Sequence, residues 1–263
     1  MDLKIQNKTA LITGASSGLG YAAALTLAEE GAKIAINSRS MENLQKAAAL
    51  IEKRTHIKPV CIDGDLADDG VAEKIVEQTI KELGSADILV SNCGGPPAGL
   101  FDQHDKETWK SSVDLTLLSA INLSRAVLPG MVEKKWGRII FITSVAVKQP
   151  IDNLIISNTL RAGVTGFAKS ISNEYASDGV TINTVCPGYT ETERLTSLAE
   201  HQSEANNKSI EDIYTGWTQS VPAARLGQPD ELAALITFLA SDRAAYITGT
   251  SIPVDGGYAK GLL

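Results

Sequence analysis

Short apolar runs alternate along this chain with longer stretches of helical spacing. Residues 9–13, 33–37, 59–62, 87–90, 138–143, 181–186 and 251–254 are brief runs rich in Val, Ile, Ala and Leu, and each reads as a strand buried on both faces. Leu25, Ala28 and Glu29 follow the first run at helical intervals, and Ile75, Val76, Thr79, Ile80 and Leu83 do the same after the third. A strand followed by a helix, repeated, requires crossover connections and therefore a parallel sheet covered on both faces. No linker, repeat or low-complexity segment interrupts the pattern, so residues 1–263 are expected to form one domain. The stretch 189–221 is polar, rich in Glu, Ser, Thr and Asn, and reads as an irregular insertion serving as a lid on the substrate side.

The first apolar run leads directly into Thr13-Gly14-Ala15-Ser16-Ser17-Gly18-Leu19-Gly20 and then into a helical pattern. Glycines in such a turn allow close backbone approach, while the helix N-terminus presents unpaired N–H groups to a pyrophosphate. The expected fold is thus a Rossmann-like, doubly wound α/β fold with a seven-stranded parallel sheet and helices on both faces. A dinucleotide would lie across the carboxyl ends of its strands. The second strand ends in Asn37-Ser38-Arg39, with no acid before Glu42. An acid there would accept from a ribose 2'-hydroxyl, whereas a cation suits a 2'-phosphate, so Ser38 and Arg39 favour NADP(H) over NAD(H). Asp65-Leu66, after the third strand, is placed to meet the adenine amino group, and Asp65 reads equally well as an ordinary helix N-terminal acid.

Charge narrows the partners. The chain holds 24 basic and 31 acidic residues, a net charge of -7, with no long basic run, so neither nucleic acid nor an anionic membrane is expected as a partner. Three cysteines, Cys61, Cys93 and Cys186, show no C-x-x-C spacing, and neither a disulfide framework nor a metal site is expected. No secretion-signal pattern opens the chain and no apolar run approaches membrane-spanning length, so a cytoplasmic location is expected.

Taken in order, these motifs resemble the short-chain dehydrogenase/reductase family over nearly the whole chain. The resemblance rests on Thr13 to Gly20, on Ser91-Asn92-Cys93-Gly94 after the fourth strand, and on Pro187-Gly188 followed by Thr192. Ile247-Thr248-Gly249 and Val254-Asp255-Gly256-Gly257 near the end extend it. It implies cofactor contacts from Gly14, Ser16, Ser17, Gly18, Leu19, Gly20, Asn92, Gly94, Pro187, Gly188 and Thr192. It also implies a small-molecule substrate and assembly as a homotetramer or homodimer.

The family's catalytic set is a Ser, a Tyr about thirteen residues on, a Lys four further, and an Asn on the preceding helix. Ser144 holds the first position, but the others hold Ser157, Arg161 and Asp114. A tyrosine near pKa ~10 can be drawn toward neutrality, whereas a serine hydroxyl cannot, and a positioned acid is worth about 10²- to 10⁴-fold in rate. Arg161 keeps its proton, yet one turn from Ser157 it could hold ribose hydroxyls; facing Asp114, it could form a bidentate ion pair. Tyr189, beside the Pro-Gly turn, is the candidate replacement phenol, with an apolar wall as its other reading. His56, His104 and His201 read as solvated, with His201 open to being carried over the site by the insertion. Pro96 and Pro97 read as a stiff pocket wall.

Two functions remain open at this point. One is an NADP(H)-dependent oxidoreductase moving hydride to or from a small carbonyl or alcohol, including a 3-oxoacyl-like substrate, by a non-standard proton route. The other is a catalytically silent nucleotide-binding sensor or partner subunit.

Overall fold

All seven expected strands form: β1 (Thr9–Ile12), β2 (Lys33–Ser38), β3 (Val60–Asp63), β4 (Ile88–Ser91), β5 (Gly137–Ile142), β6 (Val180–Pro187) and β7 (Ser251–Val254). They make one parallel sheet in the order β3-β2-β1-β4-β5-β6-β7. The computed structural model describes residues 1–262, so Leu263 lies outside the described residues. The winding reverses between β1 and β4, which leaves a crevice outside the carboxyl ends of those strands.

Period-two alternation explains how one sheet carries two cores. Ala10, Ile12, Ile34, Ile36, Ile88, Val90, Ile140 and Ile142 point to one face. There they meet α1 (Gly18–Glu29), α2 (Met41–Thr55) and α9 (Pro229–Leu239). Leu11, Ala35, Leu89, Ile139 and Phe141 point to the other. They pack under α3 (Val71–Leu83), α5 (Ser119–Glu133) and α6 (Ile155–Tyr175). The helical spacing after the third strand is largely borne out, with Ile75, Val76 and Thr79 buried in α3; Ile80 is the exception, at 42% exposure.

Two expectations are corrected here. The stretch 189–221 is not irregular: it contains α7 (Glu193–Asn206) and α8 (Ile210–Ser220). Thr192 and Ser209 cap them, accepting from the backbone N–H groups of Leu195 and Asp212. The polar composition that suggested a loop is the solvated side of this pair, whose apolar side closes on itself through Leu195, Ala199, Ile213 and Trp217. Secondly, α4 (Lys106–Val113), a wide π turn over Asp114–Leu118 and α5 run on without a break. The 28-residue run is long and apolar enough to cross a membrane by length and composition. Its α5 part buries Ala120, Leu123, Val127, Leu128 and Met131 in the second core, which accounts for that apolar character without a bilayer.

At the amino ends of the strands, Asp87 ties three segments together. Its carboxylate accepts from the Thr9 N–H (3.0 Å), the Ser85 hydroxyl (2.8 Å) and the Lys134 ammonium (2.8 Å). Burial alone would raise its pKa, but the Lys134, Thr9 and Ser85 hydrogen bonds and the Lys134 charge outweigh burial and lower it. A lowered folded-state value means that this stabilisation is complete above the ordinary Asp pKa of about 3.9 and is lost as pH falls through the folded value. Asp87→Asn is expected to cost about 1–3 kcal/mol at neutral pH. Urea unfolding should also show a flatter loss of stability below about pH 4 than in the native protein.

Candidate active site

The turn after β1 is built for close approach. Gly14 and Gly18 adopt left-handed φ angles of 56° and 58°, which side chains other than glycine adopt at a cost. A Cβ on Gly14 would lie 2.8 Å from the Asn92 side-chain nitrogen, and one on Gly20 would collide with the Gly14 carbonyl oxygen. Gly20 thus sits behind the turn rather than in the cleft, letting α1 begin tight against β1. Ser17 occupies the N-cap of α1, but its side chain makes no capping bond and no acid stands in the first turn. The first N–H groups of α1 are therefore without a side-chain cap, and the one acid beside this end is Glu193, whose carboxylate accepts from the Ser17 hydroxyl at 3.3 Å.

Asn92 joins the two halves of the crevice. Its backbone N–H donates to the Thr13 hydroxyl (2.9 Å), which in turn donates to the Asn92 carbonyl (2.7 Å). Its side-chain amide donates to the Gly14 carbonyl (3.1 Å). On one side lies a cavity of about 290 Å³ bordered by Ser16, Ser38, Arg39, Asp65 and Leu66. Arg39 is exposed there and makes no ion pair within 4.0 Å among the described residues. Ser38 bonds the Ser40 backbone, Asp65 accepts from the Ala67 N–H (3.0 Å), and the buried Asn37 amide donates to the Ile62 and Gly64 carbonyls. Asn37 is therefore a brace for the strand ends. Asp65 closes a turn well before α3 begins, so it is not a helix N-terminal acid.

On the other side a cleft of about 480 Å³ shares Gly14, Ser17, Arg39, Asn92 and Gly94 with the first. Ser144, Ser157, Arg161, Pro187, Gly188 and Thr192 line it, as do Gly18 and Leu19. Of the expected site residues, only Gly20 and Asp114 fall outside both cavities. Ser144 accepts from the Ala146 N–H (3.1 Å), which leaves its own hydrogen free to donate into the cleft.

The expected Asp114–Arg161 pair does not form. Asp114 opens the π turn, and Arg161, only 8% exposed, directs one guanidinium nitrogen to the Ile142 carbonyl at 2.8 Å and the other to the Cys93 carbonyl at a long 3.5 Å. Carbonyls at the end of β5 and in the loop after β4 thus hold a guanidinium that the sequence placed against a carboxylate. Tyr189 takes its wall reading: it stacks on Trp217 with ring centroids 5.0 Å apart and meets Tyr258 edge-on at 5.2 Å. Burial first, then the Tyr258 hydroxyl, push its pKa well above the ordinary tyrosine value, so it holds its proton too firmly to serve as an acid near neutrality. His104 is not solvated either; its ring packs on Gly99, and its Nε2 is buried without a partner. His56 caps α2 in a left-handed conformation, and His201 is exposed on α7.

Two residues that contribute to the site give little sign of it in sequence. Asn158 donates to the Ile151 carbonyl (2.9 Å) and accepts from the Ile151 N–H (3.3 Å), holding the loop between Ser144 and Ser157. Arg194, on α7, lies against Gly95 and donates to the Pro96 carbonyl (2.7 Å). Its position two residues after Thr192 was the one available signal.

A doubly wound sheet whose switch-point crevice opens on a glycine-bound, uncapped helix defines the class of dinucleotide-binding α/β proteins. A family model described as enoyl-(acyl carrier protein) reductase matches residues 14–259. The chain is 36% identical over 255 residues to the 3-oxoacyl-[acyl-carrier-protein] reductase FabG of Vibrio cholerae, covering 97% of this chain and 98% of that protein. It is 35% identical over 255 residues to nodulation protein G of Azospirillum brasilense, covering 96% and 98%. L-sorbose reductase of Gluconobacter frateurii, solved with NADPH and L-sorbose, superposes over 100% of both chains with a TM-score of 0.94 at 31% identity. The chain belongs to the short-chain dehydrogenase/reductase family.

Gly20→Ala should force α1 away from the turn, with an overpacking cost of about 1–3 kcal/mol in denaturant unfolding.

Proposed function

We propose that the protein is an NADP(H)-dependent oxidoreductase interconverting a small carbonyl compound, including a 3-oxoacyl-like one, and its alcohol. The observation that carries this reading is a continuous crevice with Gly14, Ser17 and Arg39 at one end and Ser144, Ser157 and Arg161 at the other. The residues present fit the cofactor: the uncapped α1 terminus suits its pyrophosphate, and the unpaired Arg39 its 2'-phosphate. When bound, the reduced cofactor supplies hydride to the carbonyl carbon. Ser144 donates its free hydroxyl hydrogen to the substrate oxygen and fixes its position. Ser157, on the first turn of α6, relays a proton from water to that oxygen, since no phenol occupies this position. Arg161 cannot give up its proton, so it contributes a permanent positive charge beside Ser157 that favours developing negative charge. The proposal includes α7 and α8 as the lid of the cleft and a cytoplasmic homo-oligomer as the working form.

Arg39→Ala should weaken NADPH binding about 10- to 100-fold while leaving NADH within about twofold, as measured by fluorescence titration. Equal losses for both cofactors would reject the role given to Arg39. A carbonyl and alcohol panel followed at the nicotinamide absorbance tests the reaction itself. Ser144→Ala is expected to lower kcat about 10²- to 10³-fold on any substrate found. No turnover across the panel, with NADPH bound, would favour the silent nucleotide-binding reading.

A further inference from the structure

Arg161 and Arg194 line the same cleft, and neither makes an ion pair within 4.0 Å among the described residues. Their recorded partners are neutral backbone carbonyls: Ile142 and Cys93 for Arg161, Pro96 for Arg194. Carbonyls take up some of the five N–H donors of a guanidinium but do not cancel its charge. We propose that Arg161 and Arg194 together form an anion subsite for a carboxylate on the substrate, so that the protein acts on a free oxo acid rather than a neutral ketone or a thioester.

The other deeply buried arginine of the cores shows what an internal structural use looks like. Arg138, 2% exposed, donates to the Gly137 and Ser241 carbonyls, stacks on Trp136 at 4.3 Å and reaches the Asp242 carboxylate at 3.4 Å. A buried cation is thus paired within the chain. Arg161 is almost as buried but has no carboxylate, and a second guanidinium shares its cleft. Although Arg194 presents surface to solvent, its guanidinium is tucked against Gly95 and Pro96. Partial desolvation and then the Arg161 charge lower its pKa. Two like charges held together without an internal counter-ion favour an external one.

The cofactor's own phosphates have other donors at the far end of the crevice, in the α1 terminus and Arg39. Arg161 instead lies one helical turn from Ser157, on the side where the substrate oxygen is placed. Leu154 and Leu198 supply apolar wall in the same cleft, which suits a carboxylate with a compact apolar body. The inference rests on the oxidoreductase reading for what reacts, but it concerns binding and is measured separately.

Calorimetric titration of the NADP⁺ complex with benzoylformate and with its neutral methyl ester provides the test. The acid should bind at least about tenfold more tightly than the ester. Arg194→Gln should weaken the acid by about tenfold or more while NADP⁺ affinity stays within about twofold, and Arg194→Lys should restore part of the loss. Equal binding of acid and ester, or no saturable binding of the acid at millimolar concentration, overturns the subsite. So does a loss in Arg194→Gln that falls on NADP⁺ instead, which would give the pair to the cofactor pyrophosphate. If the acid binds as described but no carbonyl is ever reduced, the subsite stands and the oxidoreductase reading fails. Equally fast reduction of ester and acid has the opposite meaning.

Discussion

The hydroxyl of Thr13 is the hinge on which the crevice depends. It donates to the Asn92 carbonyl and accepts from the Asn92 N–H, joining the loops that leave β1 and β4 where the winding of the sheet reverses. Parallel neighbours in such a sheet diverge at their carboxyl ends, and without a cross-link their loops would be free to separate. With it, Gly14 is pressed so close to Asn92 that only glycine fits. The α1 terminus, the Arg39 strand end and the Ser144 turn then share one open seam. The residues proposed to bind and to react all lie along that seam.

The two ends of the sheet use polar chemistry differently. At the amino ends, Asp87 and Arg138 are satisfied within the chain: one by three donors, the other by carbonyls, an aromatic face and Asp242. At the carboxyl ends, Arg39, Arg161 and Arg194 make no ion pair within 4.0 Å among the described residues, and the N-terminus of α1 has no side-chain cap. Of these only Arg161 is buried, and a buried cation without its counterpart costs stability at a place where a ligand can offset it. The overall negative charge of -7 thus conceals a locally cationic seam.

What could be read from the chain follows from the range of the interactions involved. Strands and the glycine turn are local patterns, and period two, period 3.6 and the Gly14-to-Gly20 spacing located them within a residue or two. The position of Arg39 beside the crevice was legible because it depends only on a place at the end of the second strand. The Asp114–Arg161 pair failed because proximity in a family pattern does not determine a side-chain partner; Arg161 found the Ile142 carbonyl instead, nineteen positions back along the chain. Arg194 went unnoticed because its neighbours Gly95 and Pro96 are 98 or more positions distant. The 189–221 stretch misled for another reason: a two-helix unit that packs mainly on itself needs few apolar residues and so looks like a loop.

That self-packing has a consequence for how such an enzyme can change. Leu195, Ala199, Ile213, Trp217 and Leu226 form a small third core, separate from the two beneath the sheet, and it touches the cleft through Tyr189, Leu195 and Leu198. Substitutions within it can reshape the wall that meets the substrate while the strands, the glycine turn and the cofactor end keep their packing. The packing is in effect divided into a frame built on the sheet and a separately packed faceplate beside the cleft.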